Sequence, residues 1–268
     1  MFDKFKYTYS INDSYFSKIK REISVFDDDL ELLSLELNTS KEETLKKLDE
    51  LVKMLLENSL FGIRISYANL EMVLRGDRIL KNQFETGKSD GIYDPNERRI
   101  KEKEVLHVSE FLNVEDRPIY GMCFPRENLC EYIEKGPGYW LDNEDGCVLI
   151  LDKDRIKDVT TFTLGDSLKN EKTLRSSLLS NPIFNGSFSK FYEYLLECIR
   201  DNDFRLENLF REDNEYLEFQ IHGRDNHNIM NIVSSVVFIK DAPESLKTLL
   251  DELGISYSDY PRKEGKLI

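Results

Sequence analysis

Past residue 58 the apolar residues arrive in short runs separated by turn formers, a pattern that a β-sheet buries most readily. Leu60–Ser66, Ile119–Phe124, Gly146–Leu151, Val159–Leu164, Leu217–His222 and Val233–Ile239 all read as strands. Helical stretches are fewer: Tyr67–Leu74, closed by Arg75-Gly76-Asp77, then Phe184–Arg200 with one apolar side, then Pro243–Leu253. Strands and helices do not alternate regularly, so the expected class is α+β with a mixed antiparallel β core, not a doubly wound sheet. Residues 81–100 hold Gly87, Gly91 and Pro95 with little apolar content, and are expected to form a long loop of the kind that carries function.

Before residue 58 the chain reads helical and strongly charged. Ser40-x-x-Glu43 forms a capping box, after which Leu45, Leu48, Val52 and Leu55 recur at helical spacing. In Asp27–Leu37 the alternation of Leu33, Leu35 and Leu37 lets helix and strand compete, and the basic segment Lys18–Arg21 precedes it. The expected organisation is a helical region at 1–57 capping an α+β domain at 58–268.

The chain has 268 residues, with 51 acidic against 37 basic side chains and a formal net charge of −14. That excess of acid argues against general nucleic-acid binding, which needs a positive field. The longest apolar stretches, Ile232–Ile239 and Gly146–Leu151, fall far short of the roughly 20 residues that cross a bilayer. Met1–Ser10 lacks the apolar core of a secretory signal, and the four cysteines lack paired metal spacing, so a cytoplasmic chain with buried free thiols is expected. Dinucleotide and P-loop glycine fingerprints are missing, as is the G-x-S-x-G elbow of serine hydrolases. No metal site is expected, because His222 and His227 have no third ligand at metal spacing.

The segment richest in chemistry is Tyr216–Gly223. On a strand, Leu217, Phe219 and Ile221 point one way and Glu218, Gln220 and His222 the other, spaced by about 7 Å. Three hydrogen-bonding groups in a row suit a site that grips hydroxyls and stabilises positive charge; a solvent-facing strand gives the same alternation. Gln83–Gly91 sets amides, hydroxyls and a carboxylate around two glycines. In Phe61–Ser66 the lone Arg64 either points to solvent or serves as a clamp for pyrophosphate.

Four blocks, Gln83–Gly87, Arg117–Gly121, Thr161–Ser167 and Glu218–Gly223, resemble those of a bacterial protein family marked in this order by QFETG, RPxYG, TFTxGDS and ExQxHG. The resemblance spans roughly residues 58–255. It departs from the family between Gly91 and Glu115, where a tryptophan- and glycine-containing segment is replaced by the charged run Glu97–Glu104. The layout is also distantly similar to ADP-ribosyltransferases. Arg64 followed by Asn69-Leu70-Glu71-Met72-Val73-Leu74 resembles their opening strand and helix, Tyr120 (or Tyr139) their middle aromatic, and Glu218 their glutamate. Glu218-Phe219-Gln220 replaces the usual E-x-E or Q-x-E, which leaves the acceptor open.

That resemblance implies NAD as substrate and transfer of ADP-ribose to a protein or nucleic acid, with nicotinamide released. Arg64 and Ser66 would bind NAD together with Tyr120. Gln83, Glu85 and Thr86 would bind it as well, Gln83 and Glu85 from a mobile loop over the site. Glu218 would stabilise the transition state, while Gln220 or His222 would orient the acceptor, His222 also serving as a general base. NAD hydrolysis uses the same pocket, and a non-catalytic nucleotide- or protein-binding module would keep the same fold. A toxin, a bacterial defence factor or a regulator would each fit, with the N-terminal helices as a docking element for a protein partner.

Overall fold

The computed structural model describes residues 31–44, 46, 47, 50, 57–87, 94–106, 108–126, 146–157, 159–164, 177, 178 and 217–259. The expected helix Phe184–Arg200, the segment Lys18–Arg21 and Tyr139 lie outside these residues, as do Cys130 and Cys198. The fold is α+β, built on one eight-stranded mixed sheet. Its strands are β1 (Ser59–Ser66), β2 (Ile119–Pro125), β3 (Gly146–Leu151), β4 (Thr160–Leu164), β5 (Ser177–Leu178), β6 (Leu217–Ile221), β7 (Val233–Phe238) and β8 (Ser256–Asp259). They lie in the order β5-β4-β6-β2-β1-β3-β7-β8. Every neighbouring pair is antiparallel except β7 with β8, which run parallel.

Past residue 58 the named α-helices are α1 (Tyr67–Arg75), α2 (Gln83–Thr86), α3 (Pro95–Val105), α4 (Lys153–Ile156), α5 (Ile229–Ile232) and α6 (Glu244–Leu253). Residues 31–37 are helical, which resolves the competition in that segment, and Leu33 from it is buried in the same core cluster as the strands. Residues 41–44 are helical as well, and the Ser40 hydroxyl accepts from the Glu43 amide, as a helix start requires.

Register assigns the two faces of the sheet. Ile65 lies opposite Cys147, which lies opposite Phe238; Phe61 lies opposite Cys123, and Gly121 opposite Phe219. Directly paired residues share a face, as do residues two apart on one strand. This face therefore carries Phe61, Ile65, Cys147, Phe219 and Phe238, and α1 closes over it by setting Tyr67 edge-on against Phe238, ring centroids 5.8 Å apart. Cys123 and Cys147 are buried free thiols, and burial pushes both well above the usual thiol range. Gly121 sits in the centre of this packing. A Cβ there would come within 2.2 Å of the Phe219 ring and 2.6 Å of the Gly62 carbonyl oxygen, so only glycine fits.

The long loop expected over residues 81–100 is not what forms. Asn82 caps α2 with a complete capping box, its side chain accepting from the Phe84 and Glu85 amides while Glu85 accepts from the Asn82 amide. Asp94 caps the 11-residue helix α3, and Pro95 occupies its first turn. The charged run Glu97–Glu104 is thus helical, and its Arg98 and Glu102 meet Tyr120 on the face of the sheet opposite to Phe219.

Candidate functional site

The other face of the sheet is polar where β4, β6, β2 and β1 meet. Gly62 lies opposite Met122, and Met122 opposite Glu218; Tyr120 lies opposite Gln220, which also faces Thr161. By the period of two, Arg64, Tyr120, Glu218 and Gln220 project from one face of three adjacent strands, with Thr161 beside them on a fourth. The alternation expected in Leu217–His222 is present, but β6 is an interior strand. Glu218, Gln220 and His222 are 6%, 0% and 1% exposed, so this is not a solvent-facing strand, and of the three Glu218 keeps the most exposure.

Buried polar groups need partners, and here they find one another. Gln220 Nε2 donates to Glu218 Oε1 at 2.9 Å, and Thr161 Oγ1 donates to Gln220 Oε1 at 2.9 Å. Thr161 Oγ1 also lies 2.7 Å from His222 Nε2. Burial pushes His222 down to about 3, with a smaller push from His227, so the ring is neutral at physiological pH. A neutral ring closed inside the fold and bonded to Thr161 suits the holding of its neighbours; the expected exchange of protons as a general base needs a ring that acceptor or water can reach.

Tyr120 is held from α3. Its hydroxyl donates to Glu102 Oε1 at 2.8 Å, and the Arg98 guanidinium lies over its ring at 4.6 Å. Glu102 also takes Arg117 in an ion pair with both side chains essentially unexposed. Desolvation raises the Glu102 carboxyl even against the attraction of Arg117. Burial and the adjacent carboxylate both push the Tyr120 phenol well above its ordinary value, so it is a donor at physiological pH.

The QFETG block serves the same neighbourhood from behind. Asn82 donates to the Val114 and Arg117 carbonyl oxygens, and Arg117 lies over the Phe84 ring at 4.7 Å. Glu85, besides closing the capping box, pairs with Arg224, just past the ExQxHG block. Thr86 donates to the Asn82 carbonyl oxygen at 3.1 Å. Glu85 and Thr86 are therefore fastened within a short helix, which corrects the expectation of a mobile loop. Gln83 stands at the start of that helix with its buried Oε1 unbonded. Ser66 is the cap of α1, accepting from the Asn69 amide at 3.3 Å, so its oxygen is engaged in starting the helix and not held free for a ligand.

Arg64 is different. It is partly buried, and no hydrogen bond or ion pair ties its guanidinium to another described residue. A partly buried arginine with no carboxylate partner among the described residues can receive an anionic group of a ligand, while the Glu218 carboxylate, on the same face two strands away, can stabilise positive charge.

Glu102 and Arg98 were invisible as site residues in the sequence because they sit in a charged run with no periodic apolar stripe. Thr161 stood within a recognised block, but only its pairing with Gln220 reveals its part. Among the described residues no cluster of three or more His, Cys, Asp or Glu side chains is arranged to hold a metal ion. Nor is any described helix long and apolar enough to cross a membrane. No protein-family model matches the chain, and no curated protein matches it either.

Proposed function

We propose that this chain has an ADP-ribosyltransferase-like fold and transfers ADP-ribose from NAD to a macromolecular acceptor, protein or nucleic acid, releasing nicotinamide. The observation that carries the reading is the common face of Arg64, Tyr120 and Glu218 on three adjacent strands. Arg64 would bind the pyrophosphate, consistent with its having no carboxylate partner among the described residues. Tyr120, held by Glu102 and Arg98, would offer its ring beneath the nicotinamide. Glu218 would accept from the ribose 2′-hydroxyl and stabilise the oxocarbenium-like transition state.

In the reaction the C1′–N bond breaks and its electron pair leaves with neutral nicotinamide. The acceptor nucleophile then forms a bond to C1′ and yields its proton to water. Gln220 is engaged with Glu218 and Thr161, so its part is to steady the carboxylate and not to select the acceptor.

Nicotinamide release from NAD, followed by one-dimensional NMR, tests the reading. Wild-type protein should release it, and Glu218→Gln should lower the rate by about 10²–10³, the range found for loss of one transition-state partner. Absence of release, with cell lysate supplied as a source of acceptors, would overturn the reading in favour of a non-catalytic nucleotide- or protein-binding module.

A further inference from the structure

The buried row beside Glu218 has a direction. A carboxylate only accepts hydrogen bonds, so Gln220 must present its amide NH2 to Glu218 and its carbonyl oxygen to Thr161. Thr161 then spends its single hydroxyl proton on Gln220 Oε1. What remains to Thr161 Oγ1 is its lone pairs, so His222, 2.7 Å away, must be the donor through Nε2–H. Every proton in the row points toward the carboxylate, and the ring at its far end is the one member whose tautomer is not fixed by covalent structure.

We infer that His222 and Thr161 are positioning residues for Glu218: the Nε2–H tautomer of His222 sets the polarity of a four-residue row that aims the Gln220 amide at the carboxylate. For its catalytic consequence the inference rests on the transferase reading; the row itself does not. Hydrogen bonds in such a chain polarise one another, so loss of a middle link frees the amide to rotate and blurs the place of the carboxylate. Neither Thr161 nor His222 need touch NAD for this. The same logic explains why Thr161 is central: a hydroxyl accepts from one neighbour while donating to the next, which neither valine nor alanine can do.

The test uses the whole protein labelled with 15N-histidine. Long-range 15N–1H correlation, with the His222 signals identified by their loss in His222→Gln, should show a neutral ring protonated at Nε2. A ring protonated at Nδ1 would overturn the inference, whatever the activity. In nicotinamide release, Thr161→Val should lower kcat by about tenfold or more, the equivalent of one link in the barrier, while KM for NAD stays within about twofold. Thr161→Ser should recover most of that loss. Wild-type kcat in Thr161→Val would overturn the positioning role. Absence of turnover by the wild type, with His222 protonated at Nε2, would overturn the transferase reading and support the row on its own.

Discussion

The Tyr120 hydroxyl and Glu102 Oε1 lie 2.8 Å apart, 18 residues apart in sequence, joining an interior strand to a helix with few apolar residues of its own. Helix α3 is thus attached to the sheet through buried charged side chains, Arg98 and Glu102. Glu102→Ala should strand the Arg117 guanidinium inside the protein and cost about 3–5 kcal/mol. Urea unfolding checks it, and a loss under about 1 kcal/mol would show that Arg117 is compensated elsewhere.

Gly121 faces a different constraint, one of space. Gly121→Ala puts a methyl group into the Phe219 ring and the Gly62 carbonyl oxygen, and because the second contact is backbone, side-chain repacking cannot relieve it. A loss of about 3 kcal/mol is expected, at the upper end of ordinary overpacking. The double variant Gly121→Ala/Phe219→Leu should recover only part of the loss, read from the same unfolding curves.

Arg64 should behave in the opposite way. With no described partner to strand, Arg64→Ala should change stability by less than about 0.5 kcal/mol. Its effect should appear in NAD affinity, measured by calorimetry on the Glu218→Gln background to suppress turnover. Unchanged affinity would remove Arg64 from the ligand-binding role.

Acid should destabilise the fold through its histidines. Burial lowers His222 to about 3 and His227 to about 4, the latter despite a hydrogen bond to the Ile221 carbonyl oxygen that favours its charged form. Both values lie below the ordinary histidine value of about 6.5, so the unfolded chain binds more protons than the native one between them. Stability contributed by neutral burial is present above about pH 6.5 and is lost as pH falls toward 4 and then 3. Glu102, raised in the fold, acts in the other direction just above its ordinary value. Unfolding free energies at pH 7 and pH 5 should differ, and His227→Gln should flatten that difference; an unaltered slope would assign it to other groups.

The strands were legible because their signal is local. Gly146–Leu151 is continuous apolar sequence and forms a strand buried along its whole length, while the alternation at 217–222 predicted which side chains share a face. Helix α3 was not legible by periodicity, since its inward residues Arg98 and Glu102 are charged and Ile100 is 53% exposed. Its start was written in Asp94-Pro95, a cap followed by a first-turn proline, which outweighs the lack of an apolar stripe. Strands β5 and β8 are short, two and four residues, without an apolar run of their own, and they owe their conformation to the neighbours they pair with. Arg64, Tyr120 and Glu218 could be named singly from the chain, but that they share a face depends on strand order, which no local pattern encodes.

That strand order also sets a timetable. β6 lies between β2 and β4, yet it follows both in the chain, so as a nascent polypeptide emerges β4 has no route to the central strands until residues 217–221 arrive. Until then Thr161 and Tyr120 belong to separate pieces, and Thr161 is the one member of the row of hydrogen bonds that has been made. A ribosome that stops short of β6 leaves the centre of the sheet, β1 with β2 and β3, able to pair and the candidate site without its carboxylate. Whatever this site does, it comes into being only after β1 to β5 have all been made.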